Sequence, residues 1–256
     1  VTGNATALTV SRTILCAFGS YAITGSTTAL KVAHVLSCVS GAYSVTGNGA
    51  TLSKASVLST VSGSYAISGN PATFAIAKTI TVTTGNYAVT GNAVSFSKTF
   101  ILSTTSGAYS VSGNAASLQA NRIISTVSGS YSVTGSDANL YRQRSITVSA
   151  GSYSVTGNNV FLSFSYVMSA SSGSYAVTGQ DAGLKVSKRL AVSTGSYTVT
   201  GNTVGLLYAK KIVASAGSYA TTGQDVGLLF THAVIASTGS YSISGNATGI
   251  RVSRVI

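Results

Sequence analysis

Acidic side chains are almost missing from this chain. Asp137, Asp181 and Asp225 are the only three in 256 residues, and charged residues of both signs make up 7%, where a soluble protein carries about 25%. General acid–base catalysis and hard-metal binding lean on carboxylates, so the chain reads as a non-enzyme without a cofactor. No apolar run approaches the ~18 residues of a membrane span, because Ser, Thr, Gly or Lys breaks each within a few residues. The opening, Val1-Thr2-Gly3-Asn4, has no basic-then-apolar targeting segment. Trp is absent and Pro occurs once. What is abundant is Gly (28 residues) and Tyr (14), in a background of Ser, Thr, Val and Ala, a mixture that favours β-structure over helix.

These residues are arranged with a period of 22. A Gly-x-Tyr element recurs eleven times, from Gly19 to Gly239, without insertion or deletion, and a second Gly follows six residues later each time. Gly3 makes the second series twelve long. The Tyr column has no exceptions: Tyr21, Tyr43, Tyr65, Tyr87, Tyr109, Tyr131, Tyr153, Tyr175, Tyr197, Tyr219 and Tyr241. Two residues on stands Val or Ile, with Thr221 the single departure, and small polar residues lie between. This alternation marks a half-buried strand. A second alternating segment follows the Thr-Gly-Asn turn, as in Ala116 and Leu118, and a third is anchored by Ile14, Leu36, Leu58 and their equivalents up to Ile256. Each unit therefore offers about three short strands. The two invariant Gly columns call for a positive φ or a crowded corner, and Pro71 sits in one such turn, where a missing N–H costs little.

A strict period without indels implies stacking, since an insertion would break every ladder passing through it. The expected fold is all-β and elongated: a single tandem-repeat array over residues 1–256, wound as a β-solenoid of about twelve 22-residue turns, rising ~4.8 Å per turn into a rod of roughly 55 Å. The alternative is a long antiparallel β-meander in which the Gly-containing segments are hairpin turns. Neither end of the array carries a polar cap, which leads to the expectation that the chain continues or joins other copies in a filament.

All fifteen Lys and Arg, which give a net charge of +12, fall within one five-residue band of the repeat. One column of that band supplies Arg12, Lys78, Arg122, Arg144, Lys188, Lys210 and Arg254. Stacked, it forms a basic stripe, either a solvated edge that keeps the rod soluble or a binding stripe for an anionic polymer such as a surface polysaccharide. Specific nucleic-acid binding is not expected, because the Tyr ladder shares its face with Val rather than with the cations, and base stacking needs exposed aromatics beside them. The three Asp share one turn column at intervals of 44 residues, or ~9.6 Å when stacked. That is too far apart for a retaining glycosidase and at the limit for an inverting one, so they read as turn residues. His34 and His232 have no metal-ligand partners at suitable spacing. Cys16 and Cys38 are one period apart and within disulfide reach when stacked. Two readings stay open for them, small buried thiols or a rung-to-rung disulfide in an oxidising compartment. The residue before the second Gly is always Thr or Ser. Flat hydroxyl arrays resemble ice-binding faces, but a single column beside a turn argues against that use.

The unit Gly107-Ala108-Tyr109-Ser110-Val111-Ser112-Gly113-Asn114-Ala115-Ala116-Ser117-Leu118 resembles short tandem repeats in proteins of tailed bacteriophages and prophages, encoded near tail genes. The resemblance covers the whole chain. It implies a structural, fibre-like virion component, located on the virion or outside the cell, that self-associates and has no active site. A looser likeness is to curlin repeats, whose paired Gln ladders this chain lacks; it implies a secreted bacterial filament or adhesin.

Overall fold

In the computed structural model, the described residues are 2–10, 13–16, 18–32, 35–97, 101–119, 123–186, 189–208, 211–230, 233–236 and 238–252. Among them the secondary structure is entirely β, and no helix is long and apolar enough to cross a membrane. A representative unit has a first strand at Asn86–Thr90, a second at Ala93–Ser97 and a third at Ile101–Thr104. In several units the second and third strands run together, as in Asp137–Val148 and Asn159–Ala170.

Every described strand pairs in parallel with its equivalent 22 residues on. Tyr65 lies beside Tyr87, Ala93 beside Ala115 and Ile101 beside Ile123. The fold is thus a parallel β-solenoid. The antiparallel meander is excluded, because its hairpins would pair neighbouring strands in opposite directions. One local departure occurs at Gln143, which pairs with Phe164 before the 22-residue register resumes at Ser145 and Val167. It falls at the junction of second and third strands.

The alternation seen in sequence sorts the side chains as a pleat requires. Within Asn86–Thr90, Tyr87 and Val89 point inward and are buried, while Asn86 and Thr90 are exposed. The second strands contribute Ala116, Leu140, Val160 and Leu162 to the interior, and the third strands Ile80, Ile124, Ile146 and Met168. These rows merge into one continuous core along the rod.

The corners also carry rung-to-rung backbone bonds, so the ladders continue around the turn. Ser130 donates its N–H to the Gly107 carbonyl at 3.0 Å, Gly113 to Thr134 at 3.0 Å, and Asp137 to Asn114 at 2.8 Å. This close stacking explains the two glycine columns. A Cβ on Gly129 would overlap the carbonyl oxygen of Gly107, and even in the looser second column one on Gly223 would come within 2.7 Å of the Gly201 oxygen. Of the two sequence-level explanations, the crowded corner therefore holds for these columns. Among the described glycines a positive φ occurs at Gly19 alone, at +92°. The Asn70–Pro71 peptide in the second corner is cis.

Candidate functional site

The most regular feature of the interior is the tyrosine ladder. Successive rings from Tyr65 to Tyr219 stack nearly parallel, with centroids 4.7–5.0 Å apart and interplanar angles of 1–8°. That spacing matches the separation of paired strands, so backbone pairing sets the ring stack. All of these rings are buried. Burial drives the pKa of Tyr87, Tyr109, Tyr131, Tyr153 and Tyr175 well above 10, since a phenolate would have to form away from water. Like-charge neighbours within the stack raise Tyr109, Tyr153 and Tyr175 further. Tyr21, Tyr43 and Tyr241 keep the same backbone register, but their side chains lie outside those described. Buried away from the cations, the described rings offer no base-stacking surface.

The basic band lies at the corner between the second and third strands. Lys31, Lys185 and Arg189 belong to it and are exposed. Of the column singled out in the sequence, Arg12, Arg122, Lys188, Lys210 and Arg254 lie outside the described residues. Lys78 and Arg144 occupy strands Ala72–Val82 and Asp137–Val148, their side chains again outside those described.

The acidic column lies at the start of the second strand, on the opposite side of that strand from the basic corner. Asp137 pairs with Asn159, Asn159 with Asp181, Asp181 with Thr203, and Thr203 with Asp225. A neutral residue thus separates each carboxylate from the next. The Asn159 amide Nδ2 donates to Asp137 Oδ1 at 2.7 Å, giving that carboxylate a structural partner in the rung above. Nothing pairs two carboxylates for acid–base work, and among the described residues no group of three His, Cys, Asp or Glu converges on one point. Cys16 and Cys38 are direct register partners, as their spacing implied; their sulfur positions lie outside the described side chains.

Two polar features add detail to the columns read from the repeat. At the corner before several of the tyrosines, with Ala150 and Ala216 in the equivalent place before Tyr153 and Tyr219, a Ser or Thr hydroxyl donates to a carbonyl of the preceding rung: Ser106 to Thr83 at 3.2 Å, Ser128 to Thr105 at 3.1 Å and Thr194 to Ser171 at 3.1 Å. The consensus Ser ahead of Gly was its only sequence signal. Along this corner runs an open groove of about 930 Å³, floored by glycines such as Gly107 and Gly129 and walled by Ser, Thr and Ala. The second feature is the outward face of the first strand. The Thr/Ser column before the second Gly is not single, because Ser132 and Thr134 share this face with Ser130, and their hydroxyls lie 3.4 Å apart. Ala66, Ala88, Ala176 and Ala220 interrupt the middle column, so the hydroxyls form no regular lattice. That irregularity, rather than the single column, is what argues against ice binding.

All charged side chains of the chain fall in the basic band or the Asp column. Compared with protein-family models, curated proteins and solved structures, the chain matches none.

Proposed function

We propose that this chain is a structural fibre component, a rod of about twelve 22-residue turns and roughly 55 Å that assembles with copies of itself. In this reading it belongs to a virion, as a tail-associated part of a tailed phage, and is found on the virion or outside the cell. A secreted filament or adhesin is the nearest alternative setting. The supporting observation is the parallel 22-residue register, held by the core and corner ladders alike. Such a fold is stiff along its axis and repeats the same backbone layer at every level. It is suited to spanning distance, and no catalytic role is part of this reading.

Electron cryomicroscopy of the purified full chain tests it. Filaments or bundled rods with a layer spacing of ~4.8 Å along the axis are expected. Compact, unassociated particles at every concentration would sink the fibre reading.

One observation favours a second role beside the first. All fifteen cations share a five-residue band, and the described ones there are exposed. A rod with such a corner attracts an anionic polysaccharide laid along it. Salt-sensitive retention on a sulfated-polysaccharide column, lost on changing Arg122, Arg144, Lys188 and Lys210 to Ser, is the expected result. Retention that ignores salt or these four changes would remove the glycan role and leave the fibre role standing.

A further inference from the structure

The outward face of the third strands carries an apolar patch. Val39, Val61, Ile101, Ile123 and Val127 are between 37% and 44% exposed. Val35, Val57, Thr79, Ile101 and Ile123 follow one another in register along one margin of this face. Val39, Val61 and Val127 belong to the other margin, and Ser37, Ser59, Thr81, Ser103 and Ser125 run between. From Val35 to Ser171 the face has no charged residue. Exposed apolar patches with polar rims mark interaction sites, and β-branched rows at strand spacing can interdigitate with a like face in a dry sheet-to-sheet contact.

We infer that this face is where two copies of the chain pack side by side, with their rods parallel and related by a two-fold axis along the rod. The inference rests on the fibre reading for the premise that copies associate; what it adds is the face and the orientation. Three considerations identify the occupant. The first is spacing: the rows are ~4.8 Å apart, and a partner that touches every row over several rungs must have the same repeat, as a second copy does.

Charge is the second consideration. A chain of net charge +12 repels its copy unless the cations are kept apart. The basic band ends at the first residue of the third strand, where Arg189 and Lys211 stand beyond the uncharged stretch, whereas no cation follows the third strand before the next tyrosine. A two-fold axis along the rod reverses strand direction across the contact and lays each basic margin against the partner's uncharged far margin. An axis along the strands would make the rods antiparallel and set the two basic margins against each other.

Area is the third. Over the seven rungs from Val35 to Ser171 where this face carries no charge, the third strands and the residue after each offer a projected face on the order of 550 Å², at ~4.8 Å per rung and ~3.3 Å per residue. That is about two thirds of the ~800 Å² per partner of a standard specific interface, in keeping with a reversible dimer.

The test uses the full chain in sedimentation equilibrium over a wide concentration range. A reversible dimer is expected, weakened at least tenfold by the pair Ile101→Lys and Ile123→Lys. The control pair Ser110→Lys and Ser132→Lys, on the outward face of the first strand, leaves it unchanged. Circular dichroism and thermal melting report whether each variant keeps the fold. A second measurement does not depend on the lysine pair: Ser103→Cys, with Cys16→Ala and Cys38→Ala, places a thiol near the proposed axis, so mild oxidation should link two copies through that one residue. A strictly monomeric chain, a dimer weakened only by the control pair, or a Ser103→Cys thiol that does not cross-link in the dimer would overturn the proposal. Dimers of this kind in preparations without filaments would instead overturn the fibre reading alone. Filaments that persist with the Ile101 and Ile123 changes, in chains that still dimerise normally, would retain fibres and reject this face.

Discussion

Tyr131 and Tyr153 stack with ring centroids 4.7 Å apart and planes 4° from parallel, and the hydroxyls of both are buried without a hydrogen-bond partner. The ring and its hydroxyl therefore act in opposite directions. Losing the ring of Tyr153 opens a cavity in a continuous core, and an aromatic-to-Ala change of this kind costs about 3–5 kcal/mol. Losing the hydroxyl alone removes a buried polar group whose desolvation costs about 1–3 kcal/mol. Tyr153→Ala should lower the urea midpoint strongly, whereas Tyr153→Phe should leave it unchanged or raise it. A marked loss on Tyr153→Phe would show that the hydroxyl is satisfied.

The same burial makes the rod sensitive to alkali. Tyr87, Tyr109, Tyr131, Tyr153 and Tyr175 have pKa values raised well above 10 by desolvation. In the unfolded chain they ionise near their ordinary value of about 10. The folded state holds these protons more tightly, so their contribution to stability is fully present below about pH 10 and declines as pH rises above it. Phenolate absorbance from the ladder should appear together with loss of the β-sheet circular dichroism signal. Smooth titration near pH 10 with the fold intact would contradict the burial.

Glycine has two different roles here, and one pair of substitutions separates them. A Cβ on Gly129 would overlap the carbonyl oxygen of Gly107, which is backbone held in its own ladder, whereas a Cβ on Gly205 meets nothing within 4 Å. Gly129→Ala should destabilise by about 4 kcal/mol or more, at the severe end for a single change. Gly205→Ala should be neutral or stabilise by about 0.4–1 kcal/mol, through the lower entropy of the unfolded chain. Chemical denaturation of the two variants side by side checks both signs.

The contrast between these glycines also shows where sequence reading reaches its limit. The Tyr and Val columns were legible because inward and outward residues alternate within five consecutive positions, as in Asn86–Thr90, and a strand pleat acts locally. The period itself followed from counting. Gly129 could be flagged but not explained, since its obstacle is Gly107, one full turn away. The bond from Asn159 to Asp137 is likewise a relation between rungs, and no motif within either unit signals it. The exposed valines and isoleucines of the third strand were equally opaque, because alternation marks them as outward-facing without saying whether anything covers them.

If the register is what holds the rod, its length should be adjustable in whole turns. Deleting residues 112–133 joins Val111 to Thr134 and removes one 22-residue unit. The rungs on either side then become neighbours, with Val111 stacking on Val155 in place of Val133 and the Tyr, Val and glycine columns continuous. Stability in a stacked array is approximately a sum of unit and nearest-neighbour terms, so this variant should fold, with a modestly lower urea dependence from the surface no longer buried. Deleting 112–132 instead leaves the downstream columns one residue out of phase. That slip turns each inward side chain outward and sets glycine corners against residues with a Cβ. The second variant should lose cooperative unfolding in at least one half of the rod, as read by circular dichroism and limited proteolysis. Equal tolerance of both deletions would mean that the corners absorb phase errors, and the indel-free repeat would then need a cause other than stacking.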